Sequence, residues 1–341
     1  MSVKDFTANV ISATPIVPDG NFQNSTASGV WDLSEHFDLV KGSNWPTIGN
    51  VAPIGLFGGG GNGAESNVIE SVVISTTGDA ADFGDLTVSV QTLAGCASAT
   101  RGIFGGGESS SSDTNVIGYV TIASAGNATD FGNLTQAREE LASCSSATRG
   151  LFGGGLAGST TVDVIDYITI ANTGNASDFG DLTETSRALF ACASPTRGIF
   201  AGERYSQNLI SYVTIGSTGN ASDFGDLTYG RYFGSSCSSN TRGLFGGGIN
   251  DSTFGLTNII DYITIASTGN AADFGDLLST VEENAACSSD TRGLFVGGSG
   301  ASLKVIQFVT IGSTGNATDF GDLQTNKRSF ASCSNAHGGI S

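Results

Sequence analysis

A motif of eight residues, present in six copies, constrains the fold of this chain more than any other feature. Its clearest copy is Thr-Arg-Gly-Leu-Phe-Gly-Gly-Gly at residues 148–155. A second motif, Asp-Phe-Gly, recurs with it, and its phenylalanines are separated by 48, 48, 45, 50 and 46 residues. Internal repetition at such a period is typical of repeat arrays and propellers. The other copies of the first motif lie at residues 54–60, 100–107, 196–202, 241–248 and 291–298.

Each repeat contains four candidate β-strands. In one unit, residues 164–170 alternate apolar and polar side chains and are rich in β-branched residues, which favours a strand. The other three candidates of this unit are residues 149–152, 177–182 and the small-residue segment 189–194. Four short strands in about 40 to 50 residues is the size of one propeller blade.

The two ends of the repeat region predict how a ring would close. The first unit starts at the second strand of a blade, at residues 56–57, and the last unit ends on an inner strand at residues 329–334. The C-terminal strand would therefore complete the first blade and remove an exposed sheet edge. We expect an all-β, six-bladed β-propeller with four-stranded blades at residues 54–341. It would follow a short, mostly irregular N-terminal segment at residues 1–53.

The order of elements resembles the kelch repeat. In that family a small-residue inner strand precedes a strand that ends in Gly-Gly, and a tyrosine-bearing strand and an outer strand follow. The resemblance covers residues 54–340 and implies a propeller, without implying an activity. Phe179 and its equivalents stand where kelch repeats usually carry tryptophan. As in many kelch repeats, an arginine begins the inner strand in four units, namely Arg138, Arg187, Arg231 and Arg328.

Composition excludes several classes of function. The formal net charge of −18 argues against binding to nucleic acid or to anionic membrane surfaces. No apolar run reaches the roughly 18–20 residues of a membrane span, and the first residues lack the features of a secretory signal. We therefore expect no membrane insertion and a chain that is finished in a cytoplasm.

The 6 cysteines occur once per repeat, at positions 96, 144, 192, 237, 287 and 333. Equivalent positions in neighbouring repeats are held too far apart for disulfides, so free, buried thiols are expected. A thiol-lined metal site is the alternative, but no histidine repeats with the cysteines. Because the only histidines are His36 and His337, we expect no enzyme activity, no metal and no cofactor.

Repeated Asn-Ala-Ser/Thr sequences begin at Asn127, Asn175, Asn220 and Asn316 and match the glycosylation pattern. Without a signal sequence they are better interpreted as a repeated turn. The carboxylates around Asp178 lack the dense oxygen-ligand spacing of a calcium loop.

The connections between strands predict one constant face and one variable face. Connections 1–2 and 3–4 of each blade hardly differ, whereas connections 2–3 and 4–1 differ in length and chemistry. Loops on a rigid scaffold usually carry binding function, although drift under weak constraint would give the same pattern. Aromatic and arginine side chains on the variable face could bind sugar rings or a protein, or could pack between blades or against the N-terminal segment. They are Arg204, Tyr205, Tyr229, Arg231, Tyr232 and Phe254.

The N-terminal segment contains both tryptophans and a capping-box sequence at residues 32–35 that predicts a short helix. Gly-Val-Trp at residues 29–31, this helix and Trp-Pro at residues 45–46 resemble a segment of virion proteins of tailed bacteriophages. The resemblance implies a structural tail, fibre or other appendage protein, present in multiple copies on a symmetric particle and assembled in the host cytoplasm. Trp31, Phe37 and Trp45 would dock to other virion proteins. The alternative is a host-receptor or glycan-binding module that acts through the variable face.

Overall fold

A computed structural model describes residues 52–204, 207–300 and 303–340. The repeats lie within one compact unit, Pro53–Ser341. The helix expected after residue 32 and the docking residues Trp31, Phe37 and Trp45 lie outside the described residues, as does Tyr205.

The repeats form six antiparallel sheets of four strands each, which confirms the expected fold class. Blades 1 to 6 follow the chain, and each runs from an inner strand to an outer strand. The inner strands are Ala331–Ser334, Ala94–Ala97, Ala142–Ser145, Phe190–Ala193, Ser235–Ser238 and Ala285–Ser288. The second strands are Ile54–Gly58, Arg101–Gly105, Arg149–Gly153, Arg197–Glu203, Arg242–Gly246 and Arg292–Val296. The third strands are Val68–Val73, Val116–Thr121, Val164–Thr169, Gln207–Thr214, Ile259–Thr264 and Val305–Thr310. The outer strands are Ala81–Asp85, Thr129–Asn133, Ser177–Asp181, Ser222–Asp226, Ala272–Asp276 and Thr318–Asp322.

The six inner strands form a closed ring around a central channel. Each contacts the inner strands of the two adjacent blades, and the inner strand of blade 6 contacts that of blade 1. Blade 1 is built from both ends of the repeat region, because Ile54–Gly58 pairs with Ala331–Ser334 and Leu56 lies opposite Cys333. The prediction that the C-terminal strand closes the ring is therefore confirmed.

The hydrophobic core is divided into six clusters, each shared by two adjacent blades. The phenylalanine of each second strand supplies much of this packing. Phe152 is fully buried, and its ring lies where a side chain on Gly105 of the preceding blade would be. The glycine at the end of a second strand thus makes room for an aromatic ring of the next blade.

The cysteines also pack against glycines of the adjacent blade. All six are free and buried, as expected. The Cys96 Sγ of blade 2 lies only 2.8 Å from where a Cβ on Gly150 of blade 3 would be, and the other five junctions repeat this arrangement. Burial raises the pKa of Cys96 and of Cys192 to about 12, so these thiols stay protonated at neutral pH.

The arginine of the repeated motif joins neighbouring blades. Arg149 Nη1 donates to the carbonyl oxygen of Ile215 in the next blade at 2.7 Å, and its guanidinium stacks 4.6 Å above the centre of the Tyr167 ring. Equivalent contacts follow from Arg101, Arg197, Arg242 and Arg292. Blade 1 has Ile54 at this position, so the junction of blades 1 and 2 lacks the arginine contact.

The repeated Gly-Asn turn covers the outer strand of the preceding blade. Asn175 Oδ1 accepts the N–H of Asn133 at 3.1 Å, and the N–H of Gly174 donates to the carbonyl oxygen of Phe131 at 2.7 Å. The arrangement recurs at all six junctions, with Asp79 in place of the asparagine at one of them. The Asn-Ala-Ser/Thr sequences therefore have a structural role in protecting sheet edges.

Candidate functional site

Short β-pairs extend the blades on the variable face. Two lie within 2–3 connections, Glu108–Ser109 with Ser112–Asp113 and Leu156–Ala157 with Thr160–Thr161. Two others join a 4–1 connection to the 2–3 connection of the next blade, Arg231–Tyr232 with Ile249–Asn250 and Val281–Glu282 with Ser299–Gly300. The variable connections are thus fixed by backbone hydrogen bonds.

Five of the six residues predicted to form an aromatic patch are described by the structure, and these five do not share one exposed surface. Arg231 is fully buried and Tyr232 is 6% exposed, in contrast to the expectation and in line with the alternative that they pack between blades. The guanidinium of Arg204 lies 5.6 Å from the centre of the Tyr232 ring. Tyr229 uses its hydroxyl in a 2.6 Å hydrogen bond to Thr257 Oγ1. Among the five of these residues that the structure describes, only Phe254 is largely exposed, at 75%.

Arg231 belongs to a set of three buried ion pairs in alternate blades. Its Nη2 lies 3.0 Å from Asp261 Oδ2 in blade 5, where both side chains are fully buried. Blade 3 has the same pair between Arg138 and Asp166, and blade 1 has Lys327 with Glu70. The grouping of Arg138, Arg187, Arg231 and Arg328 as equivalent residues was therefore wrong. Arg187 and Arg328 lie one residue nearer to the inner strand and form different contacts, with Glu140 and Glu283.

Phe254 is presented by a loop with a well-defined conformation. Asn250 Oδ1 accepts the N–H groups of Ser252 and Thr253, each at 3.0 Å, and the N–H of Phe254 donates to the carbonyl oxygen of Asn250 at 2.8 Å. Phe254 has a φ of 53°, in the left-handed region that costs a non-glycine residue roughly 1–2 kcal/mol. Leu256, 36% exposed, lies next to it in sequence beyond Gly255. The loop therefore holds an aromatic side chain in solvent at a cost in stability.

A second feature surrounds the mouth of the central channel on the variable face. Six equivalent non-glycine residues, each two positions before an inner strand, have φ between 52° and 56°. The N–H of each donates to the carbonyl oxygen of its counterpart in the preceding blade at 2.7–3.0 Å, so the six hydrogen bonds form a closed ring. We call this set the mouth ring; it consists of Thr92, Glu140, Ala188, Phe233, Glu283 and Ser329.

The mouth ring encloses a cavity of about 90 Å³. Leu93, Leu141, Leu189 and Phe330 line it together with the ring residues. Glu140 and Glu283 occupy opposite positions in the ring, three blades apart. Arg187 Nη1 lies 3.5 Å from Glu140 Oε2, and Arg328 Nη1 lies 3.4 Å from Glu283 Oε2.

Carboxylates dominate the charge around this cavity. Burial, ahead of all other causes, raises the pKa of Glu139, Glu140 and Glu282 above the usual range, and neighbouring carboxylates raise it further. Glu283 is one of the charges that raise the pKa of Glu140, so the two opposite carboxylates of the ring interact. Burial also raises the pKa of Glu203 to about 7, with contributions from Glu184 and Asp251. Burial therefore favours the protonated, neutral form of these carboxyl groups.

The other end of the channel is occupied by residues that follow the last inner strand. His337 Nδ1 accepts the N–H of Gly339 at 3.1 Å, so its Nε2 carries the proton and donates to the carbonyl oxygen of Ala97 at 3.0 Å. Burial lowers the pKa of His337, which favours this neutral form. Ser145 Oγ lies 3.2 Å from the same nitrogen. The imidazole therefore bridges blades 2 and 3; His36 lies outside the described residues.

In the part of the chain that the structure describes, no three His, Cys, Asp or Glu side chains are grouped as metal ligands would be. Nor do residues 52–204, 207–300 and 303–340 include a helix able to cross a membrane.

The sheets and their closure define a six-bladed β-propeller, a fold compatible with a binding module. Neither the protein-family models nor the curated proteins compared with this sequence match it. The mouth ring has no obvious sequence signal, because its members are chemically unlike one another. The only available signal was the position itself, always two residues before the small-residue strand.

Proposed function

We propose that this propeller is a non-catalytic binding module that contacts a partner protein through its variable face. The loop that presents Phe254 carries this proposal. Aromatic side chains in solvent are typical anchors of protein interfaces, and a loop already held in one conformation loses little entropy on binding. The N–H of Asn250 donates to the carbonyl oxygen of Gly255 and closes this loop, which places Phe254 in the left-handed region. An exposed phenylalanine thus stands where glycine would be less strained.

A protein surface fits this loop better than a glycan does. Sugar sites combine an aromatic ring with exposed polar donors. Here Tyr229 is hydrogen-bonded within the propeller, and the buried guanidinium of Arg231 is paired with Asp261. The loop presents Phe254 and Leu256, two apolar side chains that suit an apolar pocket on a partner.

We further propose that the protein is a structural appendage component of a tailed-bacteriophage particle. Support comes from the resemblance of residues 29–31 and 45–46 to a segment of virion proteins. In this proposal residues 1–53 dock to other virion proteins, several copies occupy a symmetric particle, and the propeller is displayed for attachment to the host. The acidic surface would keep neighbouring copies soluble.

Two variants test the binding role in assembled particles. Phe254→Ser should leave the amount of this protein per particle unchanged and should reduce attachment to host cells at least tenfold, because a central aromatic anchor is lost. Val73→Ser is the matched control, since Val73 is 40% exposed at the end of a third strand, away from the variable face. Equal attachment by both variants would refute a contact through Phe254.

Deletion of residues 1–53 tests the particle role separately. The truncated propeller should still fold, because its ring closes within residues 54–334, and it should be missing from purified particles when these are examined by mass spectrometry. Normal incorporation of the truncated chain would refute docking through this segment.

A further inference from the structure

The segment that follows the last inner strand closes the channel on the constant face. It consists of residues 335–340, and we call it the channel plug. We propose that the channel plug is an acid-released closure, which neutral His337 holds in place and which is released when the imidazole is protonated. The proposal concerns the constant face and is independent of the binding role assigned to the variable face.

The plug begins at Asn335, where the other blades continue into the connection between their inner and second strands. In blade 2 the N–H of Ser98 donates to the carbonyl oxygen of Arg101 at 2.9 Å, and Ser98 Oγ accepts the N–H of Arg101 at 3.2 Å. Asn335 forms the equivalent two contacts with Ile54, at 3.3 Å from its N–H and at 2.7 Å to its Oδ1. Because the chain does not continue from Asn335 into Ile54, the residues after Asn335 turn across the channel instead.

Two buried glycines of the plug contact opposite sides of the channel. The N–H of Gly338 donates to the carbonyl oxygen of Ser238 in blade 5 at 3.0 Å. A side chain on Gly338 would overlap the carbonyl group of Ser239 in the same blade, and a side chain on Gly339 would overlap that of Ser145 in blade 3. The backbone of the plug is therefore packed closely between blades 3 and 5.

His337 stabilises this arrangement only in its neutral form. Its Nε2–H donates to the carbonyl oxygen of Ala97 at 3.0 Å, and its Nδ1 accepts the N–H of Gly339 at 3.1 Å. Protonation places a hydrogen on Nδ1, opposite the N–H of Gly339, so that a contact between two donors replaces a hydrogen bond. Burial, ahead of all other causes, also lowers the pKa of His337, because the charged imidazole is less well solvated in the channel than in water.

Neutral groups surround the imidazole. The hydroxyl of Ser145 lies 3.2 Å from Nε2. The six cysteines line the same cavity of about 50 Å³ as His337, and burial raises the pKa of each, so their thiols carry no charge. Among the described residues, Asp290 is the charged group that acts on His337; it is exposed on the 1–2 connection of blade 6, and its effect on the pKa is smaller than that of burial. A positive charge on His337 is therefore poorly compensated.

The direction of the pKa shift gives the pH at which the plug is released. Because burial places the pKa of His337 below its usual value of about 6.5, the plug is stable above that pH and loses stability as the pH falls below it. Release becomes up to about tenfold more favourable for each pH unit, until the lowered pKa is reached. Ring closure does not depend on this proton, because Ile54–Gly58 and Ala331–Ser334 pair through their backbones.

Hydrogen–deuterium exchange of the full-length protein tests the plug, with labelling times scaled for the intrinsic exchange rate at each pH. Residues 335–340 should lose at least fivefold of their protection between pH 7.5 and pH 5, while Ala331–Ser334 should keep its protection. In His337→Asn, which cannot be protonated in this range and can still accept an N–H two residues later, the protection at the two pH values should be equal. Gly339→Ala should lose protection at both pH values, because its Cβ would overlap the carbonyl group of Ser145.

His36→Asn is the matched control, because it removes the other histidine of the chain and should leave the pH dependence of residues 335–340 unchanged. Three results would overturn the acid-released plug. They are equal protection of these residues at both pH values in the unmodified protein, an unchanged pH dependence in His337→Asn, or a simultaneous loss of protection in Ala331–Ser334, which would mean that blade 1 unfolds.

Discussion

Replacement of Gly150 by alanine should destabilise the propeller because of one atom in the adjacent blade. A Cβ at this position would lie 2.8 Å from Cys96 Sγ and 3.2 and 3.5 Å from two carbons of Ile168. Contacts under 3.0 Å require something to move, and Cys96 is held in an inner strand of a closed ring. Overpacking of this kind costs about 1–3 kcal/mol. Because a domain of about 150–250 residues loses roughly 2–4 °C in Tm per kcal/mol, Gly150→Ala should lower Tm by several degrees.

The cause can be isolated by a double-mutant cycle. Cys96→Ala alone should cost about 1 kcal/mol for the lost buried sulfur. In the double variant the new methyl group occupies the space of the missing Sγ, so the two changes should cost less together than the sum of the single changes. A coupling energy of at least about 1 kcal/mol is expected from denaturant unfolding.

Gly118→Ala provides a matched control within the same fold. It is also a buried strand glycine, but the nearest atoms to a Cβ there are 3.7–3.8 Å away, beside a small apolar cavity. This substitution should stabilise the protein by about 0.5–1 kcal/mol, since alanine reduces the entropy of the unfolded chain. Additive effects of Gly150→Ala and Cys96→Ala would refute the steric explanation, as would equal destabilisation by Gly118→Ala.

Three further predictions concern other parts of the structure. Arg231→Ala should cost about 3–5 kcal/mol in urea unfolding, because it leaves the buried Asp261 without its partner. Glu203→Gln should stabilise the fold at pH 8 but not at pH 4. Folding raises the pKa of Glu203 to about 7, so the native protein loses stability as pH rises from the unfolded pKa through about 7, and glutamine avoids that loss. Thermal unfolding should show that Ala188→Gly is neutral or stabilising, because Ala188 has a φ of 56°. Ala191→Gly in the adjacent strand should cost about 0.5–1 kcal/mol in the same measurement.

The sequence alone predicted the architecture because each repeat contains the strand and turn patterns of one blade. Strand alternation and the turn residues of one unit predict one blade, and the position of the unpaired strand at residues 329–334 predicts closure. Leu56 opposite Cys333 confirms that inference. The occurrence of one cysteine per repeat also predicted free thiols, and all six are free and buried.

The roles of the arginines were harder to predict because they depend on the neighbouring blade. Arg187 and Arg231 both precede an inner strand, but Arg187 lies one residue nearer to it. Arg187 forms a partly buried ion pair with Glu140, whereas Arg231 forms a fully buried one with Asp261. The carbonyl oxygen that Arg149 contacts lies 66 residues away along the chain. No pattern within one repeat contains that information.

The mouth ring was not predictable for a different reason. Its left-handed conformations occur at Thr92, Glu140 and Phe233, which have no preference for that region. A closed circle of backbone hydrogen bonds imposes the conformation, and this circle exists only once six blades have assembled. Backbone groups supply the bonds, so the side chains at these positions are free to differ.

That freedom decides how the variable face should be interpreted. On the constant side, Cys96 meets a glycine of the next blade and Arg149 meets a carbonyl, so a change in one repeat requires a matching change in another. The 4–1 connections need only backbone partners, and variation there alone is what drift would produce. Drift does not explain a strained, exposed phenylalanine, because such a residue lowers stability and is readily lost by substitution. This cost, rather than the variation itself, is the reason to assign binding to this face.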